Sequence, residues 1–415
     1  MENYHPSYDI VGTESNILTG KRIVLGITGS VAAIRAPDIA RELMRHGAFV
    51  YPVMTQAALQ IIHPDVMHWA TGNKPILKIT GALEHIALAG KVKTKADLIL
   101  IAPATANTIS KIACAIDDTA VTTVVTTALG QGLPLLIAPA MHESMYEHPL
   151  LKQNIEKLKK IGTTFLIPRL EEGKAKLADI SEIVDTVIHC LIKKKRLKDK
   201  KVLITSGRTI EYIDPIRVVT NKSTGKMGMC LARSALYQGA EVTVIYGKGE
   251  ALVPAGAKHI RVETALEMSK AVFKELKASS YDIMICAAAV GDWRPKTKFP
   301  AKLSTHKKQT LVIELKATAK IIDQVKKISP STFLVAFRAL YAVKKQELIQ
   351  DALERLKKAK ANLIIVNDVS IPGVGFESDT NEVFIITPEK KVTHLPLETK
   401  QSLAARILVI ISEQI

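Results

Sequence analysis

The sequence predicts two tandem α/β domains, each a parallel, doubly wound sheet with helices on both faces, three layers in all. Three observations lead there. Short apolar runs alternate with helix-length segments through most of the chain, as strands buried on both faces do when crossover helices join them. A length of 415 residues exceeds what one ordinary core serves. The alternation also breaks once, at Lys193-Lys194-Lys195-Arg196 with Lys198, Lys200 and Lys201 following, and restarts immediately afterwards. The boundary is therefore expected near residues 193–200, dividing the chain into 1–195 and 196–415.

In the first half, Lys21–Ile27 reads as a strand and Val31–His46 as a helix, followed by strands at Ala48–Met54 and Asp97–Ala102. Thr105–Ile116 is expected to be helical, Leu133–Ala138 a buried strand, Glu143–Ile161 a helix and Thr163–Ile167 a strand. Ile180, Ile183, Val184, Val187, Ile188, Leu191 and Ile192 hold one apolar face at helical spacing. The second half opens on a strand at Lys201–Thr205 and continues with strands at Glu241–Tyr246, Tyr281–Cys286, Thr332–Phe337 and Asn362–Val366. Helices are expected at Gly225–Gln238, Thr264–Lys277 and Val343–Lys360.

Composition narrows the function classes. With 47% hydrophobic and 23% charged residues the chain is globular in type. No apolar run approaches the roughly 20 residues of a membrane span, and the N-terminus lacks the basic-then-apolar order of a signal peptide, so a cytoplasmic location is expected. The four cysteines (Cys114, Cys190, Cys230, Cys286) have neither zinc-knuckle nor redox-pair spacing and sit in apolar segments; buried free thiols are expected. The net charge of +17 raises the question of nucleic acid. The basic residues are dispersed, however, and aromatics are only 5%, which points to anionic metabolites rather than nucleic acid.

The tracts that carry chemistry stand at strand ends. Thr220-Asn221-Lys222-Ser223-Thr224-Gly225-Lys226-Met227-Gly228 lies between a strand-like and a helix-like run. It combines an amide, hydroxyls, two glycines and two lysines where a helix start offers free N–H groups to an anion. It is not a Walker A loop. Gly26-Ile27-Thr28-Gly29-Ser30-Val31 makes a similar strand-to-helix turn in the first half. Leu98-Ile99-Leu100-Ile101-Ala102-Pro103-Ala104-Thr105-Ala106-Asn107 ends a buried strand in small polar residues, and Ile137-Ala138-Pro139-Ala140-Met141-His142-Glu143-Ser144-Met145 repeats that style. In open α/β sheets the ligand crevice lies beyond such carboxyl ends.

These residues resemble the flavin-mononucleotide-dependent cysteine decarboxylases. More closely, they resemble the first half of the bifunctional phosphopantothenoylcysteine decarboxylase/phosphopantothenate–cysteine ligase family of coenzyme A biosynthesis. The resemblance implies a flavodoxin-like fold in which Gly29, Ser30, Val31, Thr55, Pro103, Ala104, Thr105 and Asn107 hold FMN. It implies that His85, just ahead of Lys95-Ala96-Asp97-Leu98, is catalytic, and that Met141 and its neighbours bind the substrate carboxylate. Two departures stand out. The family's asparagine after Pro-Ala-Met is His142 here, which keeps a donor but adds a titratable ring. The substrate flap, Pro168–Ala178, has no cysteine, leaving Lys174 or His142 as candidate acids.

From about residue 201 nearly to the C-terminus the chain resembles the family's ligase half, in order: Ser206-Gly207-Arg208-Thr209, Asp214-Pro215-Ile216-Arg217, the Asn221–Gly228 tract, Ala287-Ala288-Ala289-Val290-Gly291-Asp292, Lys302, Phe337, Asn367-Asp368 and Gly375–Asn381. This implies a Rossmann-like fold in which Asn221 stabilises an acyl-cytidylate and Lys302 assists activation at the phosphates. Asp292, Phe337 and Ala288 would contact nucleotide or substrate, and Ser223, Thr224, Gly225 and Lys226 would handle phosphate. The strand-end Phe-x-Ala-Glu of many relatives is Phe337-Arg338-Ala339-Leu340 here. The implied co-substrates are 4′-phosphopantothenate, L-cysteine and CTP, with Mg2+ assisting; a homo-oligomer is implied because the family's decarboxylase sites form between subunits. The departures keep open an alternative, in which only the ligase is active and the first half is a non-catalytic FMN-binding regulatory module.

Overall fold

The computed structural model describes residues 4–192, 195–303 and 310–415. The chain forms two compact units, Met1–Lys193 and Lys194–Ile415. Among the described residues no helix is long and apolar enough to cross a membrane.

The first unit is built on five parallel strands, β1 (Arg22–Ile27), β2 (Phe49–Met54), β3 (Leu98–Ala104), β4 (Leu135–Pro139) and β6 (Thr164–Phe165), in the order β2-β1-β3-β4-β6. All seven residues of β3 are buried, as a central strand covered on both faces requires. A separate three-stranded antiparallel sheet joins β5 (Met141–His142), β7 (Arg169–Glu171) and β8 (Lys174–Lys176). The helices are α1 (Ala36–Arg45), α2 (Gln56–Leu59), α3 (Pro64–Thr71), α4 (Glu84–Ala89), α5 (Ala106–Ala113), α6 (Ala120–Gly130), α7 (Glu143–Tyr146), α8 (Pro149–Lys160) and α9 (Ile180–Leu191).

Two expected long helices are each divided at a proline. Val31–Arg35 is a 3-10 turn before α1, because Pro37 has no N–H to return to the carbonyl four residues back. The run expected at Glu143–Ile161 stops at Tyr146 and restarts at Pro149, which occupies the first helical position, where a missing N–H costs nothing.

The second unit carries an eight-stranded sheet ordered β13-β12-β9-β14-β17-β18-β19-β20. Its strands are β9 (Lys201–Ser206), β12 (Glu241–Tyr246), β13 (Lys258–Arg261), β14 (Ile283–Cys286), β17 (Phe333–Leu340), β18 (Leu363–Asp368), β19 (Thr380–Ile386) and β20 (Val392–Thr399). Pairing is parallel as far as β18 and antiparallel for β19 and β20, so this sheet is mixed rather than wholly parallel. Small hairpins pair β10 (Ile210–Tyr212) with β11 (Val218–Thr220), and β15 (Trp293–Pro295) with β16 (Leu315–Ala317). The helices are α10 (Lys226–Tyr237), α11 (Ala265–Ala278), α12 (Ile322–Ile328), α13 (Lys345–Ala359) and α14 (Lys400–Ser412).

In each unit the winding reverses once. After β1 the chain lays β2 on one side and β3 on the other; after β9 it lays β12 and β13 on one side and β14, β17 and β18 on the other. Loops leaving the carboxyl ends at such a point diverge and leave a crevice. One apolar core in the second unit backs β9 and β12 with α10 and α14; the other backs β14 and β17 with α11, α12 and α13.

Leu203 on β9 is fully buried, whereas Leu252 is 74% exposed. Leu203→Ala is expected to destabilise the second unit by about 2–5 kcal/mol and Leu252→Ala by less than about 0.5 kcal/mol, read as separate shifts in denaturant unfolding. A Cβ on Gly228 would meet Ser206 Oγ at 2.4 Å and Cβ at 2.6 Å. Gly228→Ala therefore forces α10 away from β9 and should cost about 1–3 kcal/mol in the same measurement; an unchanged midpoint would contradict this packing.

Candidate active sites

The first unit's crevice is tied together by one hydroxyl. Thr28, just past β1, donates through Oγ1 to the Pro103 carbonyl at 2.8 Å and accepts from Thr105 N–H at 3.0 Å. The two loops expected to hold a cofactor are thus one rigid rim. Ala140 N–H joins the rim by donating to the Ala104 carbonyl at 3.0 Å. Thr105 caps α5, accepting from Thr108 N–H at 3.3 Å, and the preceding N–H groups of Ala106 and Asn107 have no intrahelical acceptor. Thr55 is buried and caps α2, while its N–H donates to the Ile27 carbonyl at 3.0 Å. Gly29 has a packing reason: a Cβ there would lie 2.5 Å from that of Ala57.

Beside this rim lies a cavity of about 410 Å³, within the usual size of a small-molecule site. It brings Ser30 and Val31 together with Met141, His142 and Lys174. The flap hairpin turns at Glu172 (φ 53°) and Gly173 (φ 68°), the two positive φ values that match a tight turn to strand twist. It pairs onto β5 with Met141 opposite Ala175 and His142 opposite Lys174, so the two candidate acids are cross-strand neighbours. His142 Nδ1 lies 2.9 Å from Ser144 Oγ. Lys176 is held by Glu171 at 3.2 Å and Glu172 at 2.8 Å, and its pKa is raised by hydrogen bonds to Glu172 and Glu171.

His85 is not on this cavity's wall. It sits on α4, whose Leu88 and Ala89 enter the core, and its Nδ1 is buried without a hydrogen-bond partner. Gly29, Thr55, Pro103, Ala104, Thr105 and Asn107 also lie outside the cavity lining, although Thr28 fixes the Pro103–Thr105 loop to the turn that supplies Ser30.

In the second unit the Asn221–Gly228 tract crosses the switch point. Asn221 Nδ2 donates to the Ala289 carbonyl at 3.0 Å, Ser206 Oγ to the Gly225 carbonyl at 3.0 Å, and Arg208 to the Ser223 carbonyl at 2.6 Å. Thr224 Oγ1 donates to the Phe376 carbonyl at 2.9 Å, so this hydroxyl holds the Phe376 loop. Gly225 (φ 82°) starts α10 without a side-chain cap, and its absent Cβ clears the Tyr246 ring at 2.9 Å. Tyr246 and Ser206 are thus the neighbours that a Cβ on Gly225 or Gly228 would meet, and both glycines also line the cavity described next.

Two cavities meet here. One, of about 130 Å³, takes in Ser223, Gly225, Lys226, Asn367, Asn381 and Lys400; the other, of about 230 Å³, takes in Asn221, Asp292, Lys320 and Arg355. Ala288, Ala289, Phe337, Arg338, Ala339 and Phe376 line both. Each alone is smaller than the roughly 300–1,000 Å³ of a typical small-molecule pocket, and with a common wall they act as one two-part site. The structure thus gathers Asn221, Ser223, Gly225, Lys226, Ala288, Asp292 and Phe337. Lys302 is exposed and lines neither cavity. Its neighbour Leu303 is anchored, donating its N–H to Asp214 at 3.2 Å and accepting from Arg217 at 3.0 Å. Hydrogen bonds from the Arg217, Ile216 and Leu303 N–H groups and the Arg217 guanidinium outweigh burial and hold the Asp214 carboxyl well below the usual carboxylate range.

Sequence reasoning missed Lys400, a buried lysine that opens α14, donates to the Gly375 and Phe376 carbonyls at 2.8 and 3.2 Å, and carries no local motif. It quoted Asn367 and Asn381 without a role; Asn367 Nδ2 donates to Asn381 Oδ1 at 3.0 Å. The cysteines are free, but Cys114 is exposed and the other three half-buried, because Cys114 closes α5 at its solvent end. Burial pushes the Cys286 thiol up to about 12, which makes it inert as a nucleophile. Among the described residues no group of three or more His, Cys, Asp or Glu could hold a metal ion.

Comparison with known proteins gives these sites a family. Residues 11–192 match the family model described as Flavoprotein, and residues 197–415 match that of the DNA/pantothenate metabolism flavoprotein C-terminal domain. Over 401 residues the chain is 50% identical to the coenzyme A biosynthesis bifunctional protein CoaBC of Thermococcus kodakarensis, covering 96% of each chain. It is 39% identical to the CoaBC of Methanocaldococcus jannaschii (93% of this chain, 92% of that one) and 35% identical to that of Vibrio cholerae (96% and 99%). With identity of this extent along nearly the whole of both chains, the protein belongs to the CoaBC family of bifunctional coenzyme A biosynthesis proteins.

Proposed function

We propose that the chain performs two consecutive steps of coenzyme A biosynthesis, the second unit ligating L-cysteine to 4′-phosphopantothenate at the expense of CTP and the first unit decarboxylating the product to 4′-phosphopantetheine. The observation that carries this reading is that each unit has its family's motif residues at the winding reversal of its own sheet. Both halves match a bifunctional protein end to end, which favours two activities over a ligase with a silent flavin-binding half.

In the second unit, a carboxylate needs a leaving group before an amine can displace it, so cations must offset the phosphates while neutral donors grip the acyl oxygen. Asn221 on the second cavity supplies the neutral donor. The α10 N-terminus, Ser223 and Lys226 take phosphate, with Phe337 and Asp292 facing the nucleotide. Lys302 would reach the phosphates from the anchored loop outside. Mg2+ would arrive bound to the triphosphate, as it commonly does with nucleotide phosphates.

The first unit's residues fit FMN: the open N–H groups of α5 and the Ser30 turn stand on loops that Thr28 ties into one crevice rim. FMN, held by the Ser30 turn and the Pro103–Asn107 loop, would supply the two-electron redox chemistry that decarboxylation of a cysteinyl group needs. His142 and Lys174, facing each other across β5 and β8, hold protons beside the reacting carbons, and Met141 orients the substrate. A homo-oligomer would complete this site by bringing His85 to a neighbour's crevice.

A yellow protein active in both half-reactions is expected, with His85→Asn lowering CO2 release by about 100-fold and sparing ligation, and Asn221→Asp doing the reverse. Loss of both activities in either variant would contradict the division of labour. Burial, reinforced by Lys226, pushes the Lys400 ammonium down to about 8. A triphosphate in the adjoining cavity favours the charged form, so CTP binding is strongest below that value and weakens as pH rises through it. Titration calorimetry at about pH 8.5 in two buffers of different ionisation enthalpy should register proton uptake; none, with flat affinity, would move the phosphates elsewhere.

A further inference from the structure

We propose that Arg338 is a substrate-contacting cation of the ligation, set where the α-phosphate of the nucleotide and the carboxylate it activates come together. The proposal rests on reading the second unit as the ligase. Of the six residues lining both cavities, Ala288, Ala289, Phe337, Ala339 and Phe376 carry no charge, which leaves Arg338 as the charged group at the junction among the described residues.

Chemistry fixes what must happen at that junction. A carboxylate oxygen bonds to the α-phosphorus, the bond from that phosphorus to the bridging oxygen of the β-phosphate breaks, and pyrophosphate leaves with the electron pair. No electrons are gained or lost overall. Two anions must approach to bonding distance, so a cation between them lowers the barrier most where they are closest. With the nucleotide's phosphates along the first cavity and the acyl group at Asn221 in the second, the reacting ends meet at the common wall.

Arg338 is also held for such a task. It stands on β17 directly after Phe337, and its Nε and one terminal nitrogen donate to the two carboxylate oxygens of Asp351 on α13 at 2.8 and 3.1 Å. That two-point contact fixes the guanidinium plane and leaves further N–H donors for an anion. Asp292, on the second cavity, adds its field to the same group. Asp351 is thereby a positioning residue.

The test uses the full-length protein and measures pyrophosphate release from CTP and 4′-phosphopantothenate, with hydroxylamine trapping of the acyl-nucleotide and a thermal melt for each variant. Arg338→Ala should lower kcat for acyl-nucleotide formation by about 100-fold while changing KM for CTP by less than about threefold. Arg338→Lys should recover part of the rate, and Asp351→Asn should fall between wild type and Arg338→Ala. An Arg338→Ala variant with wild-type kcat, or one whose deficit disappears on cooling below a lowered melting temperature, would overturn the proposal and leave the pair as a tie between β17 and α13. A wild-type chain that releases no pyrophosphate would overturn the ligase reading itself, and the proposal with it.

Discussion

In a parallel sheet every strand ends on the same side, and each crossover must return over one face or the other. Where the winding reverses, two neighbouring strand ends send their loops apart, and the backbone groups between them lose the partners that sheet pairing would have supplied. Both units meet this constraint with short side chains. In the first, the Thr28 hydroxyl spans to Pro103 and Thr105. In the second, Thr205 accepts from Ala288 N–H at 3.4 Å and Ser206 donates to Gly225. The crevice that remains is small, polar at its rim and backed by rigid strands, which is the condition for holding reacting groups at fixed distances.

Much of this was legible beforehand because central parallel strands are apolar throughout. The run Leu98–Ala104 and the segments at Lys201, Glu241, Tyr281 and Asn362 could be read directly, and with them the positions of the strand-end tracts. The outer antiparallel pair was not. β20 is largely solvent-facing and contains Pro396, so it has neither a continuous apolar run nor a clean alternation. Long helices were over-read across Pro37 and Pro149, where periodicity continued although hydrogen bonding could not.

Site residues followed the same division. Asn221, Asp292 and Phe337 stand in local motifs and proved to share one two-part cavity. Lys400 lies far away in sequence and becomes part of the wall only because β19 and β20 return the chain to α10, a long-range consequence that no window of residues contains. The glycines of the tract were visible, but the cause of their placement was not: Tyr246 and Ser206 are tertiary neighbours. Lys302 shows the converse, a residue singled out by resemblance that lines neither cavity while its neighbour Leu303 is pinned through Asp214 and Arg217.

The flap hairpin has a consequence for how such chains can diverge. Its hold on Met141 and His142 is a register, with Lys174 presented outward and Ala175 buried between. Side chains alternate faces at every residue, so a one-residue slip of β8 against β5 would exchange the roles of these two. A lysine would be driven into the packing and a methyl group turned toward the substrate. The register of β8 on β5, more than the identity of any exposed flap residue other than Lys174, therefore decides which side chain meets the substrate.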